Sequence, residues 1–206
     1  MAVQIILLLG VLTLGLLSPG PDFFVVVRNS LGGTRARGLA TVAGIITGLG
    51  AHTMLIAYGI GALPEAFIRT LSVAGAAFLA WLGIRALVEG ATEARRAAPS
   101  PVLRRGASSG FMEGLLCNLT NPKAFFFFVG VFAQVIPPDA TASKWRLILP
   151  LIVIVHGAVL WSLIVLALQS APVARQLARV QRWLPRCFGI ALLFFAALVA
   201  IDLMKP

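Results

Sequence analysis

The sequence predicts an all-α integral membrane protein of six transmembrane helices, arranged as two inverted three-helix repeats. Three observations predict it. Of its 206 residues 59% are hydrophobic and 12% charged, with a mean hydropathy of +0.96, where soluble domains average roughly 45–50% and about 25%. Six apolar stretches approach the roughly 20 residues that a helix needs to cross about 30 Å of hydrocarbon. A proline-interrupted motif in the first stretch returns in the fourth.

The six stretches are residues 3–27, 40–62, 67–88, 110–135, 147–169 and 186–203. The first carries no positive segment ahead of its apolar run, since the first Lys or Arg is Arg28. It therefore reads as a retained span and not as a secretory signal. Spans one to three form a first repeat over residues 1–88, and spans four to six a second over residues 110–206, within one transmembrane domain. Residues 89–109, EGATEARRAAPSPVLRRGASS, read as a flexible cytoplasmic linker whose arginines meet anionic lipid headgroups.

The distribution of basic residues sets the orientation. Arg28, Arg35 and Arg37 follow span one; Arg85, Arg95, Arg96, Arg104 and Arg105 follow span three; Arg175, Arg179, Arg182 and Arg186 follow span five. That is twelve on one side, against Arg69, Lys144, Arg146 and Lys205 on the other, with Lys123 inside a span completing the 17. The positive-inside rule puts the richer side in the cytoplasm and both termini outside. The net charge of +10 is spread between apolar segments in this way, which argues against nucleic acid as a partner.

The internal match aligns Leu17-Ser18-Pro19-Gly20-Pro21-Asp22, followed by Phe23, Phe24 and three valines, with Leu119-Thr120-Asn121-Pro122-Lys123, followed by Phe125 to Phe128. Backbone groups freed by proline in hydrocarbon cost several kcal/mol unless protein or a wet cavity satisfies them. Pro19, Gly20 and Pro21 in span one and Pro122 in span four therefore mark helix breaks around a shared cavity. Asn121 before Pro122 reads as an N-cap with proline at the first helical position.

Each break carries a charge. Asp22 suits a helix N-terminus, whereas Lys123 adds to the positive dipole there and calls for an anion. A charge within a span costs roughly 2.5–3.5 kcal/mol and marks a pathway or a pair. Two readings are open at this point: a structural Asp22–Lys123 pair, or a site for a zwitterion. In the second, Lys123 and the amides of Asn121 to Ala124 take a carboxylate and Asp22 takes an ammonium, with Pro21 and Pro122 shaping the two half-helix ends.

At these residues the sequence resembles the LysE/RhtB family of bacterial amino-acid exporters. The resemblance runs through Ser18-Pro19-Gly20-Pro21-Asp22, Asn29-Ser30, the stretch from Gly32 to Gly38, Ala43 to Gly48, and Gly114 to Ala124 with its phenylalanine run. It implies a multi-pass carrier of the bacterial cytoplasmic membrane that exports amino acids or close analogues, driven by the proton-motive force. Asp22 is the coupling carboxylate expected on that reading. An exporter of metal or other small cations is the alternative, disfavoured because the spans hold no dense carboxylate, thiol or histidine cluster. No metal or cofactor is expected, and no nucleophile–base set suggests an enzyme.

Further residues have open roles. His52 lies about 20 Å from the cytoplasmic end of span two and His156 about 14 Å from the outer end of span five. Each reads as a proton carrier or as an interhelical hydrogen bond. Gly44 and Gly48, and Gly110 and Gly114, make small-residue faces for packing within the bundle or for a homodimer. Tyr58, Trp81, Trp145, Trp161 and Trp183 read mostly as interfacial aromatics. The Phe125 to Phe128 run reads as lipid and packing contacts, with one ring free to face the cavity. Glu113 reads as a residue that snorkels to the headgroups, and Cys117 and Cys187 as small buried hydrophobes.

Overall fold

The computed structural model describes residues 2–18, 20–31, 33–61, 65–96, 106–135, 142–170, 172, 176 and 183–203. Among them are eight helices and no strand: α1 (Ala2–Leu17), α2 (Pro21–Leu31), α3 (Arg35–Gly61), α4 (Glu65–Arg96), α5 (Ala107–Leu119), α6 (Pro122–Val135), α7 (Ala142–Leu168) and α8 (Leu184–Leu203).

Both expected breaks are present. The axis turns by 56° between the described part of α1 and α2, and by 55° between α5 and α6. Pro21 opens α2 and Pro122 opens α6, each at the first helical position, where its missing N–H leaves no intrahelical bond unmade. Gly20 and Pro21 stand at the first break, while Pro19 lies outside the described residues. Pro150 shows the contrast, since α7 runs through it without interruption. A proline alone does not split a span here; each split has proline beside a residue that caps or loosens the turn.

By length and apolarity α3 and α7 each suffice to cross a membrane, and the bent pairs α1–α2 and α5–α6 bring the number to four. The apolar parts of α4 and α8, Val73–Val88 and Pro185–Leu198, are shorter. Helix α4 also continues through Glu89–Arg96, residues expected to be loop. Their Glu, Ala and Arg are good helix formers, so the span extends before the chain enters residues 97–105, outside the described set.

Helix α3 packs against α5 and α7, α4 against α6 and α8, and α2 against α3 and α5. The four glycines of the two small-residue faces all lie at the α3–α5 crossing, each against the facing helix. A side chain at Gly44 or Gly114 would run into the backbone of the facing helix, at Phe111 and Thr41 respectively. A Cβ on Gly48 would lie 2.8 Å from Asn118 Oδ1, and one on Gly110 would lie 2.8 Å from the Arg37 carbonyl. Those faces are spent inside the bundle, leaving them unavailable to a dimer. Large apolar side chains such as Leu55, Phe67, Val88, Leu163 and Ile201 point outward, as a lipid-facing surface allows.

Buried apolar residues form two clusters. One joins α1, α3, α4, α6, α7 and α8 around Leu79, Phe132, Phe188 and Leu192. The other joins α2, α3 and α7 around Phe23, Ile45 and Trp161. Trp161 is 1% exposed and its ring lies 5.8 Å from that of Phe23. It is a core residue and not an interfacial aromatic.

Candidate functional site

The two breaks face one another. A cavity of about 60 Å3 lies between them and between the two clusters, lined by Ser18, Gly20, Asp22, Asn118, Asn121 and Lys123 together with apolar walls from Phe23, Phe127, Phe128, Trp161 and Phe188. A second cavity of about 420 Å3 shares Ser18, Gly20, Asn121, Lys123 and Phe188 with it, and adds Pro21, Pro122, Phe126, Trp81 and Arg85. Three of the four consecutive phenylalanines thus line one cavity or the other.

Asn121 connects the two breaks. Its Oδ1 accepts from the backbone amides of Lys123 at 3.1 Å and Ala124 at 3.4 Å, capping α6. Its Nδ2 donates to Asp22 Oδ2 at 3.1 Å. The same carboxylate oxygen accepts from Asn118 Nδ2 at 2.9 Å. The cap corrects one expectation: the Lys123 and Ala124 amides are already committed to Asn121, so neither is available to a ligand carboxylate. The cation of this break is the Lys123 side chain itself. Lys123 Nζ lies over the Phe188 ring, 4.8 Å from its centre, and a Cβ on Gly20 would be 3.5 Å from it. That is an ordinary van der Waals distance, so the ammonium packs beside Gly20 without requiring a glycine there.

Asp22 Oδ1 is buried and has no hydrogen-bond partner among the described residues. The Cys117 thiol is close by, yet no hydrogen bond of good geometry reaches Oδ1. A buried acceptor left unmade costs roughly 1–3 kcal/mol, so this oxygen is poised to accept a donor. Asp22 also stands in the first turn of α2 and Arg28 in the last, each favourably placed in the helix dipole.

The histidines differ in position. His52 is buried beside the break, edge-on to Phe125 at 5.4 Å, and its Nδ1 has no hydrogen-bond partner among the described residues. His156 Nε2 instead contacts Thr13 Oγ1 at 3.0 Å, joining α7 to α1; neither histidine lines either cavity.

A charged cluster not foreseen from the sequence lies further along α2. Glu113 of α5 pairs with Arg28 of α2 through Oε2 and with Arg37 of α3 through Oε1, the latter at 2.9 Å. Asn29 Nδ2 donates to Glu113 at 3.1 Å and to Thr41 Oγ1 at 2.9 Å. Glu113 is thus tied to the bundle and does not snorkel. Asp22 meets Asn118 while Arg28 meets Glu113, so α2 and α5 run antiparallel. No group of three or more metal-ligating side chains occurs among the described residues.

The family described as LysE type translocator matches residues 13–203. The chain belongs to that family. It is 30% identical to the threonine efflux protein of Escherichia coli (strain K12) over 175 residues, 82% of this chain and 84% of the relative. It is 30% identical to the homoserine/homoserine lactone efflux protein of Salmonella typhimurium over 193 residues, 91% of each. No solved structure matches. This LysE type translocator is accordingly a multi-pass membrane transporter and not an enzyme, and these two relatives are efflux proteins for threonine and for homoserine and its lactone. Asn118, Trp161 and Phe188 are among the cavity residues to which the sequence pattern assigns no site role. The only local signal is a buried-span asparagine three residues before the Asn-Pro break.

Proposed function

We propose that this translocator exports small amino acids across the bacterial cytoplasmic membrane by proton antiport, carrying each as a zwitterion between Asp22 and Lys123. One observation carries the reading: an acid from one helix break and a base from the other line a single cavity. The substrate ammonium meets the unpartnered Asp22 Oδ1, and its carboxylate meets the Lys123 ammonium. The two asparagines hold Oδ2, which fixes the carboxylate's direction without neutralising it.

Coupling follows from competition. An ammonium leaving Asp22 exposes a buried carboxylate, and a proton entering from outside takes its place before the empty carrier returns. Asp22 is the coupling group, and His52, beside the break, is positioned to relay the proton. His156 serves the α1–α7 contact. The 60 Å3 cavity has room for only a few water-sized groups at about 10–15 Å3 each, which favours small side chains such as those of threonine and homoserine. A bare cation is disfavoured as cargo by Lys123 in the same cavity.

The antiparallel course of α2 and α5 supports two inverted repeats, residues 1–88 and 110–206, rocking about the breaks. With the arginine-rich side in the cytoplasm and both termini outside, the larger cavity, bounded by Arg85 and Pro185, is the inner vestibule. The test is transport in proteoliposomes with an imposed pH gradient, comparing threonine, homoserine and lysine. Wild-type protein should move the first two against their gradients, and Asp22→Asn should abolish this while inserting normally. Gradient-driven transport by Asp22→Asn at the wild-type rate would defeat the coupling role.

A further inference from the structure

Trp161 lines the small cavity and carries an unused donor. Its side chain is 1% exposed, and Nε1 has no hydrogen-bond partner among the described residues. A buried indole N–H ordinarily finds an acceptor. The cluster that holds it supplies none, being built of phenylalanine, valine, isoleucine and leucine side chains such as Phe23, Val26 and Ile45. Of the residues lining that cavity, Trp161 belongs to the α2–α3–α7 cluster, whereas Phe188, beneath the Lys123 ammonium, belongs to the other.

We infer that Trp161 is a specificity-determining residue whose indole N–H donates to an oxygen on the side chain of the transported amino acid. The inference rests on the Asp22–Lys123 reading of the cavity. With the ligand carboxylate on the Lys123 wall and its ammonium on Asp22, the side chain is the part directed to the Trp161 wall. A hydroxyl there satisfies the N–H; a methyl group leaves it unmade. The site therefore selects short hydroxylated amino acids over apolar ones of the same size. Discrimination arises because the penalty for an unpaired buried donor falls on the wrong substrate.

Threonine and 2-aminobutyrate, which lacks only the hydroxyl, make the decisive pair. In proteoliposomes the wild-type ratio of their kcat/KM values should favour threonine about tenfold or more, the effect of one buried hydrogen bond. Trp161→Phe should bring that ratio close to one. Because the smaller ring also leaves space in the core, a second variant carries benzothienylalanine at position 161, which replaces N–H by sulfur at nearly constant shape. It should lose the discrimination as well.

A wild-type ratio near one, or a ratio that survives in the benzothienylalanine protein, overturns the inference and leaves the Asp22–Lys123 site standing. If wild type moves neither amino acid, the underlying reading of the cavity fails and the inference falls with it.

Discussion

Glu113→Gln tests whether the charged cluster holds α2, α3 and α5 together. The substitution keeps the size of the side chain but turns one acceptor oxygen into a donor and removes the single negative charge shared by two arginines. The Arg37 side chain is 3% exposed and Glu113 is 25% exposed, whereas Arg28 is 37% exposed. Removing one partner of a fully buried pair costs about 3–5 kcal/mol, and the partial exposure of Glu113 places this case lower. The exposed Arg28 arm adds about 0–1 kcal/mol. A total of about 2–3 kcal/mol follows, which for a chain of this size corresponds to a Tm lower by roughly 4–12 °C. Thermal unfolding of purified protein in detergent, followed by tryptophan fluorescence, measures it. Arg37→Gln combined with Glu113→Gln should be less harmful than the two effects added, with a coupling of at least about 1 kcal/mol. A Glu113→Gln protein that melts with wild type, together with a coupling near zero, would refute the argument and return Glu113 to the headgroup region.

Three other substitutions probe the frame and the site. Gly114→Val would drive a side chain into the Thr41 backbone and should prevent a monodisperse peak on size exclusion; Gly10→Ala and Gly59→Ala, where nothing lies within 4 Å of the added carbon, should elute normally. Asn121→Ala removes both the α6 cap and one of the two amides on Asp22, and should cost about 1–2 kcal/mol. Asn121→Asp keeps the capping oxygen, so it should recover part of that stability while transport remains impaired by a second carboxylate beside Asp22. Lys123→Met should raise KM for amino acids at least about tenfold through loss of a charge-assisted contact. A normal KM with a lowered Tm would instead mark Lys123 as a structural partner of Asp22.

Several features are legible in the chain itself because local chemistry decides them. Apolar length announces the membrane, since hydrocarbon imposes a nearly fixed number of helical residues on every span. Pro21 and Pro122 announce the breaks, because a missing N–H and a fixed φ act within one turn of the chain. Asn121 as a cap and Lys123 as an uncomfortable charge are likewise properties of a residue and its immediate neighbours. Motif spacing over most of the chain points to the family.

What the chain alone leaves open depends on partners distant in sequence. Nothing near Trp161 distinguishes a buried donor from an interfacial aromatic; only Phe23, far away in α2, places it in the core. Glu113 looks like a residue that reaches for headgroups until Arg28 and Arg37 are seen to close on it. The glycine faces of α3 and α5 could have served a dimer equally well, and their mutual burial is settled by the crossing of those two helices. The Asn121 amide and the lone Asp22 oxygen are undecidable from sequence for the same reason. A hydrogen bond is satisfied or left unmade by geometry across the fold, and residue type specifies only the capacity to form it.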